Sequence, residues 1–470
     1  MPPPPPSTAA AAAHHLESLL PRLFSLNHYK QFHARLLTSG HLGSHPGGGV
    51  LRVRFLDRLA LSPHPDALPH ALLLLRSLPV PDTNDLNAAL RGLAASPHPA
   101  RSLLLLAGRL LPPPSPPLPR LDALSLSFAL KASARCGDAP TTVQIHALVV
   151  RLGVAADVRL LTTLVDSYAK CGDLVSARKV FDEMTVRDVA TWNALLAGLA
   201  QGTEPSLALA LFHRLADSFR ELPSREEPNE VTIVAGLSAC AQLGSLQDGL
   251  YVHDFAKKCG LDCNVRVCNS LIDMYSKCGS LARALDVFYS IKQEDRTLVS
   301  YNSAIQALSM HGHGGDALRL FDEMPASIDP DGVTYLAVLC GCNHAGLVDD
   351  GLRVFNSMRV PPNMKHYGTI VDLLGRASRL TEAYDTVISM PFPADIVLWQ
   401  TLLGAAKMHG VVELAELAAS KLAELGSNVD GDYVLLSNVY ASKARWMDVD
   451  RIRDAMRSND VQLFHSINNQ

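Results

Sequence analysis

Asn87, Ser127, Thr162, Asn193, Asn269 and Asn302 stand at one recurring slot, inside the first turn or two of successive helical stretches. A carboxamide both donates and accepts hydrogen bonds, and a hydroxyl does so through a single oxygen. Helix capping is the competing reading, because Asn, Ser and Thr are favoured at helix starts. Against it, each slot lies past the expected cap, and the alternation of Asn with Thr reads as coding rather than packing.

Bond-making chemistry has weaker support. A zinc cytidine deaminase needs a His-x-Glu, whose His binds metal and whose Glu shuttles protons, and a CxxC that supplies two more ligands. The sole His-x-Glu is His15-Leu16-Glu17, and no CxxC occurs among the nine cysteines. We therefore expect no deaminase, no catalytic residue and no metal or cofactor in these residues. Cys259, Cys263 and Cys268 are close in sequence, but the first ends one predicted hairpin and the last lies in the next. Cys packs as a small hydrophobe, so packing is preferred there and for Cys340, Cys342 and His344 on one predicted helix. Cys171 and Cys278, each followed by Gly, read as turn residues.

The 470 residues suffice for several domains or one elongated array. Apolar residues make up 48% and aromatic residues only 6%, which points to Ala- and Leu-rich helix packing. A formal charge of −4 excludes a globally basic polyanion binder while leaving room for a local basic groove. Cysteines without a regular framework fit a reducing compartment. "ALLLLRSL" and "SLLLLAGRLL" are too short to span a bilayer, so a soluble protein without a membrane partner is expected. "MPPPPPSTAAAAAHH" precedes the first acidic residue, Glu17, and reads either as an organelle-targeting leader or as a disordered Pro/Ala segment.

Three phrases recur. "QFHARL", "QIHALV" and "YVHDFA" begin at 31, 144 and 251, separated by 113 and 107 positions. "LNAALRGLA", "WNALLAGLA" and "YNSAIQALS" begin at 86, 192 and 301, separated by 106 and 109. "YAKCG" at 168 returns as "YSKCG" at 275, 107 later. Three interleaved phrases on one long period mean three module types repeated in order. Within a module, Leu164, Val165, Tyr168 and Ala169 share a helical face, Cys171-Gly172-Asp173 breaks the helix, and Leu174, Ala177, Val180, Phe181 and Met184 resume it with Asp173 as cap. Such a hairpin cannot bury its own apolar face and must stack on neighbours, so the predicted fold is all-α, an α-solenoid of helix-turn-helix repeats. "PPPSPPLPR" at 112–120 and "DSFRELPSREEPNE" at 217–230 are expected as exposed inter-repeat loops.

From about 14 to about 461 the chain resembles plant pentatricopeptide repeat proteins that alternate P, L and S modules. "SYAKCGDLVSARKVFDEM" running into "RDVATWNALLAGLAQ" looks like an S module followed by a P module, and "NEVTIVAGLSACAQLGSLQDGLYVH" looks like an L module. The resemblance implies a right-handed superhelix with a leader at 1–13, degenerate L and S repeats at 14–82 and a P-L-S array at 83–395. Module boundaries in the array fall at 83–122, 123–157, 158–188, 189–229, 230–264, 265–297, 298–331, 332–363 and 364–395. "DIVLWQTLLGAAKMHGVVELAELAASKLAEL" and "YVLLSNVYASKARWMDVDRIRDAMRSNDV" resemble the paired E motifs of organellar editing factors, here at 396–461. The family then continues through "PG.SWIE" and often into a deaminase domain, whereas this sequence departs into "QLFHSINNQ", a divergent tail at 462–470 that suggests a truncated member.

In that family the slot residue and the last residue of its module jointly read one base of single-stranded RNA. Carried over, Asn87 with Asp122 implies U, Thr162 with Asp188 implies G, and Ser127 with Asp157 a slight preference for G. Asn193 with Asn229 implies C over U, and Asn302 with Asp331 implies U. Asn269 with Thr297 departs from the common pairs, and Val234 and Leu336 cannot bond a base. With modules running 5′ to 3′, the array from residue 83 implies U-n-G-Y-n-n-U, with Val189 and Val265 either sandwiching bases or forming core. The expected function is site selection for organellar C-to-U editing by a monomer that recruits a deaminase or other editing factors in trans. The expected compartment is the mitochondrion, with the chloroplast as alternative. A protein-binding scaffold and an RNA stabilisation or splicing factor are the competing functions.

Overall fold

The computed structural model describes residues 8–39, 48–78, 80–108, 119–221, 227–426 and 430–458. Among these residues every regular element is helical, with 26 α-helices and two short 3₁₀ turns. The repeated phrase folds as its spacing predicts. Val158–Lys170 buries Leu164, Val165 and Tyr168, Cys171 ends the helix, and Gly172 turns the chain at φ +82°. Asp173 then accepts the Ser176 N–H at 3.0 Å and opens Leu174–Glu183. Val265–Lys277, Cys278 and Gly279 at φ +80° repeat the arrangement before Leu281–Ser290. A positive φ suits glycine, which has no Cβ to clash.

The other phrases recur because their side chains meet. His146 Nδ1 lies 3.0 Å from the Tyr168 hydroxyl, and His253 Nδ1 lies 2.7 Å from that of Tyr275. Each pair ties the second helix of one hairpin to the first helix of the next. At the first copy of the phrase, His33 faces Phe55 and His70 instead.

The helices form two compact units, 1–239 and 240–470. In the first, Gly48–Ala60, Thr83–Ala95, Ala123–Cys136, Val158–Lys170 and Val189–Gln201 pack each on the next. The second stacks Val265–Lys277, Leu298–Met310, Gly332–Ala345, Met364–Arg376, Ile396–His409 and Asp430–Ser442 in the same manner. Small residues permit the approach: a Cβ on Gly198 would stand 2.4 Å from that of Ala169, and one on Gly92 would stand 2.5 Å from that of Ala60.

Two expectations need correction. Thr8–Leu19 is a helix, which corrects the disordered alternative for its first residues, because Ala9–Ala13 is a run of the strongest helix former. Residues 1–7 lie outside the described residues. Asp217–Glu221, expected in a loop, extends the helix Pro205–Glu221, since neither Gly nor Pro interrupts the run before Pro223. Most of the 112–120 segment and the whole 462–470 tail lie outside the described residues.

Candidate functional site

Each module's last residue begins the helix that follows. Asp122 accepts the Ser125 N–H at 2.8 Å, Asp188 that of Thr191 at 2.8 Å, Asn229 that of Thr232 at 3.3 Å and Asp331 that of Thr334 at 2.9 Å. Capping therefore belongs to the module-ending residues, and the slot residues sit five positions further along, free to face the next hairpin.

Three slot amides reach it. Asn87 Nδ2 donates to both carboxylate oxygens of Asp122 at 3.2 Å, while its Oδ1 accepts the Ser125 hydroxyl at 2.6 Å. Asn193 Nδ2 donates to Asn229 Oδ1 at 2.9 Å, and its Oδ1 accepts from Thr232 at 2.7 Å. Asn302 repeats the pattern with Asp331 at 3.2 Å and Thr334 at 2.6 Å. Each amide is held in one orientation, with its oxygen and one N–H occupied and the second N–H left over.

Thr162 connects indirectly. Its hydroxyl lies 2.7 Å from that of Thr191, which donates to Asp188 at 2.6 Å, so the Thr162 lone pairs remain available. Ser127 does not join Asp157: its hydroxyl donates back to the Ala123 carbonyl at 2.9 Å, while Asp157 caps Arg159 and Leu160. Leu160 stands where the bridged boundaries place a hydroxyl, and the bridge cannot form. Asn269 is also apart, its Oδ1 buried without a partner, at a boundary whose cap is Thr297 rather than a carboxylate or an amide.

Burial opposes the charge on Asp122, yet the Ser125 N–H and hydroxyl and the Asn87 amide outweigh it and hold its pKa below the ordinary carboxylate value. Asp331 is held low in the same way by Thr334 and Asn302 against the effect of burial. Both are anionic acceptors at neutral pH. Thr162, Val189, Asn193 and Asn229 line a groove of about 1010 Å³, with Lys131 and Lys170 also on its walls. Val189 is buried and Val265 half-buried.

The relatives decide the family. A rice protein, pentatricopeptide repeat-containing protein OGR1, mitochondrial (Oryza sativa subsp. japonica), is 88% identical over 95% of this chain and 75% of its own length. Arabidopsis thaliana pentatricopeptide repeat-containing protein At1g34160 is 44% identical, again over 95% of this chain and 75% of its own. The chain belongs to the pentatricopeptide repeat family. Repeat-family profiles match this pentatricopeptide repeat protein at 152–185, 190–218, 266–295, 296–344 and 333–360, and the E motif profile matches 409–463. Its fold matches the crystal structure of the pentatricopeptide repeat protein PPR10 in complex with an 18-nt psaJ RNA element, with a TM-score of 0.71 and 18% identity. That match covers 96% of this chain and 65% of the other. The likeness establishes an α-solenoid of pentatricopeptide hairpins, and near-identity to a mitochondrial member assigns the protein to the mitochondrion.

Two slot residues and four hydroxyls escaped the sequence reading of this pentatricopeptide repeat protein. Arg52, five positions past the residue before Gly48–Ala60, occupies the slot of the preceding module, and Gln400 occupies that of Ile396–His409 with its Nε2 2.9 Å from Asp432 Oδ1. The hydroxyls of Ser125, Thr191, Thr232 and Thr334 form the third corner of the bridges. A signal existed for these hydroxyls in "DALS", "DVAT", "NEVT" and "DGVT", a cap residue followed three places later by Ser or Thr.

Proposed function

We propose that this pentatricopeptide repeat protein binds single-stranded mitochondrial RNA sequence-selectively and chooses cytidines for C-to-U editing, with the deaminase arriving in trans through the E-motif region. The slot-to-cap bridge carries this reading, because it presents an oriented donor beside an oriented acceptor at three recurring module boundaries. At Asn87–Asp122 and Asn302–Asp331 the spare amide N–H and the carboxylate complement uracil, which offers a carbonyl oxygen beside its N3–H. At Asn193–Asn229 the second amide replaces the carboxylate and can donate to N3 of cytosine. Thr162 and Asp188 together offer acceptors, which complement the N1–H and N2–H groups of guanine.

Ser127–Asp157, Asn269–Thr297, Val234 and Leu336 lack the bridge, and their positions read as n. In chain order from residue 83 the target is U-n-G-Y-n-n-U. The RNA element in complex with PPR10 and the E motif match support this function over a protein-binding scaffold.

Filter binding of the full chain at fixed salt tests it, using RNA with the target and the same RNA with G replaced by A. The G form is expected to bind about tenfold tighter, corresponding to about 1.4 kcal/mol, and Thr162→Asn to erase or reverse the preference. Equal binding to both RNAs, or none, would overturn the assignment and favour the scaffold.

A further inference from the structure

Arg52 is the one cation at a described slot, and only 4% of it is exposed. Its Nε donates to Asp85 Oδ1 at 2.8 Å, and one terminal nitrogen reaches Asp85 Oδ2 at 2.7 Å and Asp82 Oδ2 at 3.1 Å. Asp82 caps Thr83–Ala95, accepting the Asp85 N–H at 2.9 Å, and is the counterpart of Asp122 and Asp331. Asp85, fully buried, stands where Ser125 and Thr334 stand in the bridged boundaries. The boundary before residue 83 therefore keeps the cap acceptor of a reading position while a salt bridge fills the place of the amide and hydroxyl.

We infer that the Arg52–Asp82–Asp85 ion pair is a closed slot that ends base reading on the 5′ side of Asn87, and that replacing it with an amide and a hydroxyl opens one more position, selective for uridine. The guanidinium has its donors turned onto two carboxylates that share one wall of the slot. Asp82 has its charge paired with a guanidinium at 3.1 Å, unlike Asp122 or Asp331, whose partner is an uncharged amide. Removing Arg52 alone would strand the buried Asp85 carboxylate, so the exchange must involve both residues. Arg52→Asn with Asp85→Thr copies the contacts of Asn302 and Thr334 onto the existing Asp82 cap, and Arg52→Asn with Asp85→Ser copies those of Asn87 and Ser125.

This inference rests on the RNA reading proposed above, and the test separates the two. Full-length wild type and both double variants are titrated with four RNAs that differ only in the base immediately 5′ of U-n-G-Y-n-n-U, and with the G-to-A control. Wild type is expected to bind the four within twofold, and at least one folded double variant to bind the 5′-U RNA five- to tenfold tighter than the 5′-A RNA. Wild type discriminating among the four by more than threefold would overturn the closed slot without any variant. Folded variants indifferent to the added base, with G-over-A preference intact, would overturn it while leaving the array reading in place. Loss of G-over-A preference in wild type would instead remove the array reading and this inference with it.

Discussion

Asp331 accepts the Thr334 N–H at 2.9 Å and the Asn302 amide at 3.2 Å, while the Thr334 hydroxyl, 2.9 Å from the carboxylate, donates to Asn302 Oδ1 at 2.6 Å. Because Asn and Asp cap helices about equally well, Asp331→Asn should leave the denaturation midpoint nearly unchanged. The same exchange replaces an anionic acceptor with a group that can also donate. RNA with C at the last position of the target should then bind better than RNA with U, by about 1 kcal/mol or more in competition binding. Unchanged U preference in a folded variant would remove Asp331 from base reading. At this scale the slot residues were legible, since a polar side chain at a fixed place in a repeating apolar pattern stands out. Which of them engage the next cap was not: that depends on the cap and on the residue three past it. Leu160 denies Ser127 the bridge, and Asn269 stays apart where Thr297 replaces the carboxylate or amide cap.

Helices begin on these caps and end on glycines such as Gly172 and Gly279. Between the ends, small residues set how near neighbouring first helices lie, most tightly where Gly198 meets Ala169. Gly198→Val would force the helices apart and should destabilise the protein by about 1–3 kcal/mol, the usual cost of overpacking a fitted contact. Urea unfolding monitored by far-ultraviolet circular dichroism measures it, and a variant as stable as wild type would mean that the two helices can separate freely. The hairpins themselves were legible because the apolar period and the Cys-Gly-Asp and Cys-Gly-Ser breaks recur in step. Less legible were the ends of irregular modules. Polyalanine before Glu17 reads as leader or disordered segment although it is also the strongest helix former, and the run to Glu221 reads as loop only if charge is mistaken for a break.

For the whole molecule, the formal charge of −4 agrees with a surface on which cations are frequently matched. Lys170 pairs with Asp166 at 2.7 Å, Lys277 with Asp273 at 2.8 Å and Arg376 with Asp372 at 3.0 Å, all one helical turn apart. Ion pairs of this kind compete with phosphates for the same cations. The slope of log Kobs against log salt should therefore be no steeper than about −3, equivalent to about four phosphate contacts on a single strand. A slope near −6 would point to backbone attraction as the main source of affinity. The cap residues carry one more consequence, for how such a protein changes its target over generations. Asp122, Asn229 and Asp331 each bond the slot amide of one hairpin, and on the proposed reading complete its base-reading pair, while starting the first helix of the next. A mutation that rewrites a letter is therefore also a mutation at a folding signal, and drift is confined to the few side chains that satisfy both demands. Asp, Asn, Ser and Thr make up that short list, so the alphabet of inherited specificity is limited first by how helices start and only then by what RNA offers.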